Sequence, residues 1–589
     1  MKDVNIIGIH YGHNATVALL KNGKITDCVS EERFNRIKNS VGFPTLAFDY
    51  IKNKAAGKID YYVFSQEKPY GYLFNKKRGF KSFSYAEVVN YAKNEQKISL
   101  KTELFLRFAP KIFYGKKMKA MKSVEPKDKD IIEMKEYFSN LIKEHSEKIL
   151  YADHHLSHAF SNLFFLSHPE EKTLLFTLDG EGDDLCATVN IYHNGSIETI
   201  SKVHKAHSLG YLYREITAFL GMRPDEHEFK VMGLAPYAKK EHSDKLIPLF
   251  EKLLWLNTQD EFESDIPMPL SKYYLRQNFV YNRFDNISGA LQDFTENITL
   301  EWIKRWLDRT GIYHVGLSGG VFMNVKMNQK IAELPKIKSV SIVPSAGDES
   351  TSIGACAFGY KHFSEKNGTD FKLKPIDNLY LGTEYNNDEI EKFLKENNCY
   401  QTFNISKPEN INKKIAELLA ENKVVARCTG RMEFGARALG NRSILSNPSS
   451  YENVRIINEM IKNRDFWMPF ATSILDTDKE RYLKNSAVNN GFYMHITFST
   501  KDEAQNKLIA AIHPYDKTSR PQIVKKENNP DYYEIIEEFK KITDIGGILN
   551  TSFNLHGEPN VESPADAIHT LKDSGLKYLA MGPFLILKK

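Results

Sequence analysis

The chain has 589 residues, of which 41% are hydrophobic and 26% charged. These proportions exclude a fibrous or largely disordered protein, and the length predicts more than one globular domain. The 80 lysines and arginines exceed the 75 aspartates and glutamates by only five, which is too few to indicate a dedicated nucleic-acid-binding surface.

The five cysteines are scattered, and none forms a C-x-x-C pair. An odd number without paired spacing argues against a disulfide framework and a cysteine-based zinc site, and it fits a reducing, cytoplasmic location. No uncharged apolar run approaches the ~18 residues of a membrane span. The N-terminus has the pattern of a strand and turn rather than of a signal peptide. We therefore expect a cytoplasmic protein with neither a membrane nor a nucleic acid as partner.

The start of the chain predicts three strands joined by tight turns. Apolar runs cover residues 4–9, 15–20 and 25–30, and the dipeptide Asn22-Gly23 is a hairpin signal. The chain from residue 174 onward repeats this order: a strand, a glycine-rich turn, a strand at residues 186–192, a hairpin at residues 193–195 and another strand. The repeated pattern resembles the ribonuclease-H-like halves of actin-like ATPases, and it predicts a duplicated α/β domain.

Two other segments have a polar character. Residues 111–122 carry five lysines and no acid. This composition is typical of a solvated amphipathic segment, of a lid that faces phosphate or acceptor, or of a membrane-surface segment. Residues 362–374 predict a linker, so we place the domain boundary between residues 367 and 368. A helix predicted over residues 387–398 follows it.

A histidine pair is the clearest candidate set of metal ligands. His154 and His158 lie four residues apart in a predicted helix, which puts their Cβ atoms about 6 Å apart on one face. Asp348 follows a predicted strand in a small-residue turn, where it is either a third ligand or the N-cap of the next helix. Two imidazoles and one carboxylate suit Fe(II), Mn(II) or Zn(II). The alternative is a helix with two histidines and no metal.

Two glycine-rich turns follow strands at matching places in the two halves. One contains Gly180 and Gly182, and the other contains Gly319 and Gly320. Because glycine lets backbone N–H groups approach phosphate, both are candidate nucleotide-binding loops. Each is also explained as a plain turn.

Cationic turns recur in the C-terminal part. Residues 430–443 hold three arginines, including Arg437, among small residues. Lys462 begins a second cationic cluster beside aromatic residues, and turns around Arg520 and Ser552 follow. Arginine binds phosphate bidentately, so these turns predict an anion pocket, with a solvated basic face as the alternative.

In order along the chain, these motifs resemble the O-carbamoyltransferases of the NodU/CmcH family nearly end to end. The matching blocks include His13-Asn14-Ala15, Glu31 to Phe34, the His154/His158 pair, Lys230 to Tyr237, Gly347-Asp348, residues 430–443, Arg520-Pro521-Gln522 and residues 549–554. That family joins an N-terminal domain similar to TsaD, with the actin-like ATPase fold, to a C-terminal α+β domain similar to YrdC. The resemblance implies that residues 1–367 transfer the carbamoyl group and residues 368–589 form carbamoyl-adenylate.

The resemblance also implies substrates and residue roles. Carbamoyl phosphate and ATP with Mg(II) would give carbamoyl-adenylate, and a hydroxyl-bearing acceptor would then receive the carbamoyl group beside Fe(II) or another divalent metal. Arg437, Lys462 and Arg520 would bind the anions, Ser552 would donate a hydrogen bond, and His13 would take the acceptor proton. The implied nucleotide contacts are Gly180, Gly182, Lys230, Gly319, Gly320 and Asn324, and the implied metal ligands are His154, His158 and Asp348.

Met468 departs from the family pattern, which has an arginine there, so one anion contact is missing. Three alternatives remain at this point. An actin-like sugar kinase needs only the glycine loops, a tRNA threonylcarbamoyl-type enzyme uses domains of both kinds, and a nucleotide sensor needs no catalytic histidine. The sequence does not define the acceptor, and a homodimer is one expected assembly.

Overall fold

The computed structural model describes residues 3–77, 79, 83–84, 112–114, 116, 126–485 and 491–589. Most of the lysine-rich segment 111–122 lies outside these residues. The chain divides into two compact units: Met1–Thr26 with Asn39–Pro375, and Asp27–Lys38 with Ile376–Lys589. None of the helices described is long and apolar enough to cross a membrane.

The strands up to residue 375 are β1 (Asn5–His10), β2 (Thr16–Lys21), β3 (Lys24–Ser30), β4 (Ser40–Val41), β5 (Tyr61–Phe64), β6 (Phe83–Ser84), β7 (Ile149–Tyr151), β8 (Thr173–Gly182), β9 (Leu185–His193), β10 (Ser196–His204), β11 (Trp255–Leu256), β12 (Phe262–Glu263), β13 (His314–Ser318) and β14 (Ser339–Ile342). Ten of them form two five-stranded sheets, ordered β3-β2-β1-β5-β7 and β10-β9-β8-β13-β14. In the first sheet, β1 pairs antiparallel with β2 and parallel with β5. In the second sheet, β8 pairs antiparallel with β9 and parallel with β13. The two sheets share one topology, which confirms the predicted duplicated α/β arrangement.

The helices of this unit cover Thr45–Ala55, Tyr70–Lys77, Asp128–Ile142, His154–Asn162, Leu209–Phe219, Glu228–Leu234, Lys240–Ser243, Ile247–Glu251, Lys272–Asn278, Phe284–Thr310, Val325–Ala332 and Thr351–Asn367. The last of these extends into the predicted linker and ends at Gly368, which has φ +61°. A left-handed glycine is the usual end of a helix, so the non-helical connection begins there.

Small residues hold the helix Thr351–Asn367 close to its neighbours. A Cβ added to Gly8 would lie 2.0 Å from the Ser352 carbonyl oxygen, and one added to Gly354 would lie 1.7 Å from the Ser157 carbonyl oxygen. Since no side chain fits at either place, the helix packs directly on β1 and on the helix His154–Asn162. This packing places the start of the helix Thr351–Asn367, and Asp348 just before it, beside His154 and His158.

The second unit is built on an eight-stranded mixed sheet. Its strands are β15 (Phe403–Ser406), β16 (Val425–Cys428), β17 (Arg442–Ser446), β18 (Ala471–Leu475), β19 (Pro521–Val524), β20 (Gly547–Ser552), β21 (Tyr578–Met581) and β22 (Phe584–Lys588), in the order β15-β22-β21-β16-β17-β20-β18-β19. Its helices cover Glu32–Asn35, Asn387–Glu396, Cys399–Thr402, Ile411–Ala420, Glu452–Ile457, Lys479–Tyr482, Asp502–Lys507, Pro530–Thr543 and Pro564–Lys572. The predicted helix after residue 386 is confirmed.

The segment Asp27–Lys38 packs with the second unit, although the sequence places it in the first domain. Arg36 donates to the carbonyl oxygens of Pro559 (2.9 Å) and Asn560 (2.7 Å). Arg33 donates to the Gly435 carbonyl oxygen at 3.0 Å. Because these arginines satisfy backbone groups near the predicted anion turns, the segment is a structural part of that unit.

Candidate functional site

Four side chains from three segments meet in the first unit. His154 and His158 lie on successive turns of one helix, Asp179 lies in β8, and Asp348 lies just before the helix Thr351–Asn367. All four are buried, and their ligand atoms lie within 4.8 Å of one another. The Nε2 atoms of both histidines lie 3.5 Å from Asp348 Oδ1, and His154 Nε2 lies 3.4 Å from Asp179 Oδ2.

Glycines and a turn fix two of these side chains. A Cβ added to Gly182 would lie 2.0 Å from the His154 ring, so only glycine lets the ring occupy its place. Gly320 donates its backbone N–H to Asp179 Oδ1 at 2.8 Å. Asp183, in the β8–β9 turn, accepts the backbone N–H of His154 at 2.8 Å. The two glycine-rich turns therefore position His154 and Asp179. This role differs from the phosphate binding that the sequence predicts for them.

The donor set fits a divalent metal. Among the described residues, Nε2 of His158 is buried and has no hydrogen-bond partner, although it faces two carboxylates. A buried imidazole nitrogen without a partner is costly, and a metal ion would satisfy it. Two nitrogens and two carboxylate oxygens suit Fe(II), Mn(II) or Zn(II) better than the oxygen-preferring Mg(II) or Ca(II).

The electrostatics of this group also favour a cation. Burial by itself lowers the pKa of His154, but Asp348 and Asp179 outweigh it and hold that pKa well above its usual value. Burial raises the pKa of Asp348, yet His154 and His13 reverse the effect, and the pKa ends well below its usual range. Burial and Asp348 raise the pKa of Asp179, but His154 and His158 outweigh them and the pKa is lowered. Both carboxylates therefore stay ionised, and metal binding would displace the protons that otherwise balance them.

His13 and His10 lie beside the other oxygen of Asp348. His13 Nδ1 is 3.2 Å from Asp348 Oδ2, and its side chain is 31% exposed. Burial lowers the pKa of His13, but Asp348 outweighs this and the pKa rises to about 9. His10 is fully buried, and burial lowers its pKa to about 4 despite Asp348. The sequence analysis did not include His10.

The second unit gathers cations instead. Burial, followed by Arg464 and Lys38, holds the pKa of Lys462 well below its usual value. Burial and then Arg437 lower the pKa of Arg464 to about 10. Burial, then Arg437 and Arg464, depress the pKa of Arg520. In the part of the chain that the structure describes, no carboxylate counts among the charges that shift these three pKa values.

Hydrogen bonds orient two members of this cation cluster, which comprises Lys38, Arg437, Lys462, Arg464 and Arg520. Lys462 Nζ donates to Asn554 Oδ1 (2.7 Å) and Ser552 Oγ (3.2 Å). Arg464 Nη2 donates to Thr551 Oγ1 at 3.0 Å. Lys462 ends a short π-helical turn, a feature that is frequent at functional sites. The predicted Lys462 and Ser552 thus lie together.

Other candidate residues have structural partners. Arg442 is buried and donates to the backbone oxygens of Thr429 and Glu562, while Arg431 pairs with Asp27 at 2.6 Å. Of the three arginines in the 430–443 block, Arg437 is the one that joins the cation cluster.

The predicted nucleotide contact Asn324 lies at the start of one helix, and Lys230 lies within another. Asn324 caps the helix Val325–Ala332 by accepting the N–H of Met327, and it exchanges two hydrogen bonds with Gln292. Its amide is thus already engaged. Lys230 lies half-buried on the helix Glu228–Leu234.

The sequence analysis missed Asp179, His10 and Arg464 as site residues. Asp179 follows an apolar run, which is the same signal that identifies Asp348, but it lies directly before the predicted phosphate loop with Gly180 and Gly182. Arg464 lies two residues after Lys462 in a cluster already noted. His10 had no separate signal, because its strand position is that of a core residue.

Residues 5–357 match the family model described as carbamoyltransferase N-terminus, and residues 416–588 match the one described as carbamoyltransferase C-terminus. The chain therefore belongs to the carbamoyltransferase family, as the motif resemblance predicted, and it is an enzyme that transfers carbamoyl groups.

Relatives extend over most of the chain. An uncharacterised protein of Methanocaldococcus jannaschii, MJ1051, is 33% identical over 99% of each chain. The nodulation protein NolO of Bradyrhizobium diazoefficiens is 31% identical over 74% of this chain and 79% of its own. The solved structure of T. kodakarensis HypF aligns at 11% identity with a TM-score of 0.32, over 62% of this chain and 48% of that one. That structural similarity is too low to support an argument.

Proposed function

We propose that this carbamoyltransferase is ATP-dependent and works in two steps, one in each unit. In the second unit, water releases phosphate from carbamoyl phosphate, and the resulting carbamate oxygen attacks the α-phosphorus of ATP. Pyrophosphate leaves and carbamoyl-adenylate remains. In the first unit, the oxygen of an acceptor hydroxyl attacks the carbamoyl carbon, AMP leaves, and the hydroxyl proton passes to a base. The acceptor is a small molecule or a sugar.

The observation that carries this proposal is that burial and neighbouring cations lower the pKa values of Lys462, Arg464 and Arg520 together. Each buried cation has a desolvation cost of several kcal/mol, which a nearby opposite charge normally offsets. The charges that shift the pKa values of Lys462, Arg464 and Arg520 are those of other cations. A ligand with several negative charges supplies the missing balance, and carbamoyl phosphate and ATP, with its Mg(II), are such ligands.

Within this pocket the residues would divide their tasks. Arg437, Arg464 and Arg520 present guanidinium groups, which bind phosphate oxygens in pairs, while Lys462 is a single charge that can follow the transferring group. Asn554 accepts hydrogen bonds from both Lys462 Nζ and Ser552 Oγ, so it holds the two donors side by side. Oriented donors of this kind stabilise charge that develops on phosphate oxygens.

In the first unit, His154, His158, Asp179 and Asp348 would hold Fe(II) or another divalent metal. Such an ion, when bound, supplies Lewis acidity toward a substrate oxygen. His13 would take the acceptor proton at Nε2 while Asp348 holds Nδ1–H, which requires a neutral ring. A cation on Asp348 offsets the carboxylate charge that otherwise raises the pKa of His13 to about 9.

The test is ATP–pyrophosphate exchange by the purified protein, with and without carbamoyl phosphate and without any acceptor. We expect exchange that requires carbamoyl phosphate and falls at least about 100-fold in Arg437→Ala, the loss typical of a group that stabilises transition-state charge. Arg455→Ala is the matched control, because Arg455 is exposed and paired with Glu452 and Glu459. Absence of exchange in protein that still binds ATP would overturn carbamoyl-adenylate formation.

A further inference from the structure

We propose that the first unit binds a second divalent cation through His10, His13 and Asp348, so that the Asp348 carboxylate bridges two cations. This inference rests on the proposed function, in that the other cation is the one assigned to His154, His158 and Asp179. It adds a binding site that the motif resemblance does not include.

The geometry of Asp348 carries the inference. Its Oδ1 faces one histidine pair, with His154 Nε2 and His158 Nε2 each 3.5 Å away. Its Oδ2 faces a different pair, with His13 Nδ1 at 3.2 Å and His10 Nε2 at 3.7 Å. Ligands bound at about 2.0–2.2 Å to one metal lie roughly 3–3.5 Å from each other. Three of these four distances fall in that range, and the distance from His10 Nε2 exceeds it by 0.2 Å. One carboxylate thus offers one oxygen to each of two histidine pairs.

The surroundings of His10 also favour a cation at its Nε2 atom. Its Nδ1 lies 3.0 Å from the hydroxyl of Ser65 and 3.1 Å from that of Thr351. Its Nε2 lies 3.0 Å from the His13 carbonyl oxygen and 3.7 Å from Asp348 Oδ2. When Nδ1–H donates to a hydroxyl, the Nε2 lone pair faces two oxygens with no proton among them. A cation is what completes such a group.

The other tautomer of His10 gives the competing explanation. Nε2–H would then donate to the His13 carbonyl oxygen, and His10 would be a positioning residue without a metal. The two explanations differ in the number of bound cations, because the cation site predicts one more ion per chain than the positioning role does.

The second position is more accessible than the first. His154 and His158 are fully buried, whereas the His13 side chain is 31% exposed. Three protein ligands, two nitrogens and one oxygen, leave coordination positions for an oxygen of a phosphate or an acceptor hydroxyl. With a cation on Nδ1, Nε2 of His13 carries a proton. His13 would therefore be a ligand and not the proton acceptor, which changes that single assignment of the proposed function.

The experiment counts Mn(II) ions bound by the full-length protein after removal of metals with a chelator. Electron paramagnetic resonance of the free Mn(II) gives the stoichiometry, and a spin-coupled signal reports a bridged pair. We expect two ions per chain in the natural protein and one in His13→Ala, His10→Ala and His154→Ala. His168→Ala is the matched control, since His168 is exposed in the same unit, and it should keep two.

A single ion that is lost in His154→Ala but kept in both His10→Ala and His13→Ala would overturn the second site and leave the proposed metal centre intact. No bound Mn(II) in the natural protein would overturn both. If His10→Ala does not fold, as judged by circular dichroism, His13→Ala decides alone, because the partly exposed His13 ring contributes less to the core.

Discussion

The two units solve opposite electrostatic problems. In the first unit, buried carboxylates and imidazoles face one another, and the pKa values of His154 and Asp348 move apart because each stabilises the charge of the other. In the second unit, burial and neighbouring cations lower the pKa values of Lys462 and Arg520. The first cluster can balance its charge with protons when no metal is bound. In the second cluster, the proposed anionic ligand would supply the balancing charge.

This difference teaches where binding energy has to come from. A ligand that replaces protons competes with an already balanced group, so affinity in the first unit depends on geometry. A ligand that relieves repulsion gains from the charge itself, so affinity in the second unit depends on the number of cations. Substitutions that alter only geometry should therefore act on the first unit, and substitutions that alter only charge should act on the second.

The largest expected effect in this comparison comes from a single methyl group in the first unit. In Gly182→Ala the new Cβ would lie 2.0 Å from the His154 ring, so the ring must move away from Asp348 and Asp179. We expect metal affinity to fall about 10–100-fold, the range seen when the orientation of a ligand is disturbed. Competition with a chelating dye measures this directly.

Gly180→Ala is the matched control for that substitution. It adds the same methyl group two residues earlier, where no described atom lies within 4 Å of the added carbon. Metal affinity should change less than about twofold, well below the orientation effect. Equal losses in the two variants would mean that chain flexibility, and not contact with His154, controls the metal centre.

These two glycines also show how far the sequence leads. Apolar runs and hairpin dipeptides predict β1 to β3 and β8 to β10 correctly, because strand pairing follows local pattern. The spacing of His154 and His158 predicts their shared face for the same reason. The separate roles of Gly180 and Gly182 depend on which side chain packs over each one. That is a long-range property, and both residues look alike in the sequence.

The segment Asp27–Lys38 illustrates the same limit for the domain division. Nothing in its composition separates it from the strands on either side. Its place in the second unit is decided by Arg36, which finds backbone oxygens more than five hundred residues away, at Pro559 and Asn560. From sequence alone, arginines in a turn predict an anion site, whereas Arg36 donates its hydrogen bonds to backbone carbonyl oxygens.

A substitution that removes charge from the second unit tests the other half of the comparison, with a smaller effect. In Arg520→Met the unbranched aliphatic part of the side chain is kept, and the repulsion with Arg437 and Arg464 disappears. Without ligand, we expect the free energy of unfolding of the second unit to rise by up to about 1 kcal/mol, or its melting temperature by roughly 2–4 °C. Added pyrophosphate should raise the melting temperature of the natural protein but not that of the variant. A variant that melts lower without ligand would show that Arg520 is part of a satisfied network.

A pH dependence of anion binding in the second unit tests the same contrast. Because burial, Arg464 and Lys38 depress the pKa of Lys462, the lysine loses its proton at a lower pH than an exposed lysine does. AMP is a suitable probe, since the second pKa of a phosphate monoester is about 6 and its charge is constant above that. We expect its affinity to weaken by up to about tenfold per pH unit above the depressed pKa of Lys462.

The stability of the free protein should move in the opposite direction over the same pH range. Between the depressed pKa of the folded state and the ordinary lysine pKa, the unfolded chain binds more protons than the folded one, so the free energy of unfolding rises with pH. Calorimetric titration with AMP and denaturant melts at several pH values measure both trends. In Lys462→Met, AMP should bind weakly, and its affinity should not change with pH through titration of residue 462. A natural protein whose AMP affinity stays constant up to the ordinary lysine range would mean that Lys462 has a counter-charge, and the contrast between the two units would not hold.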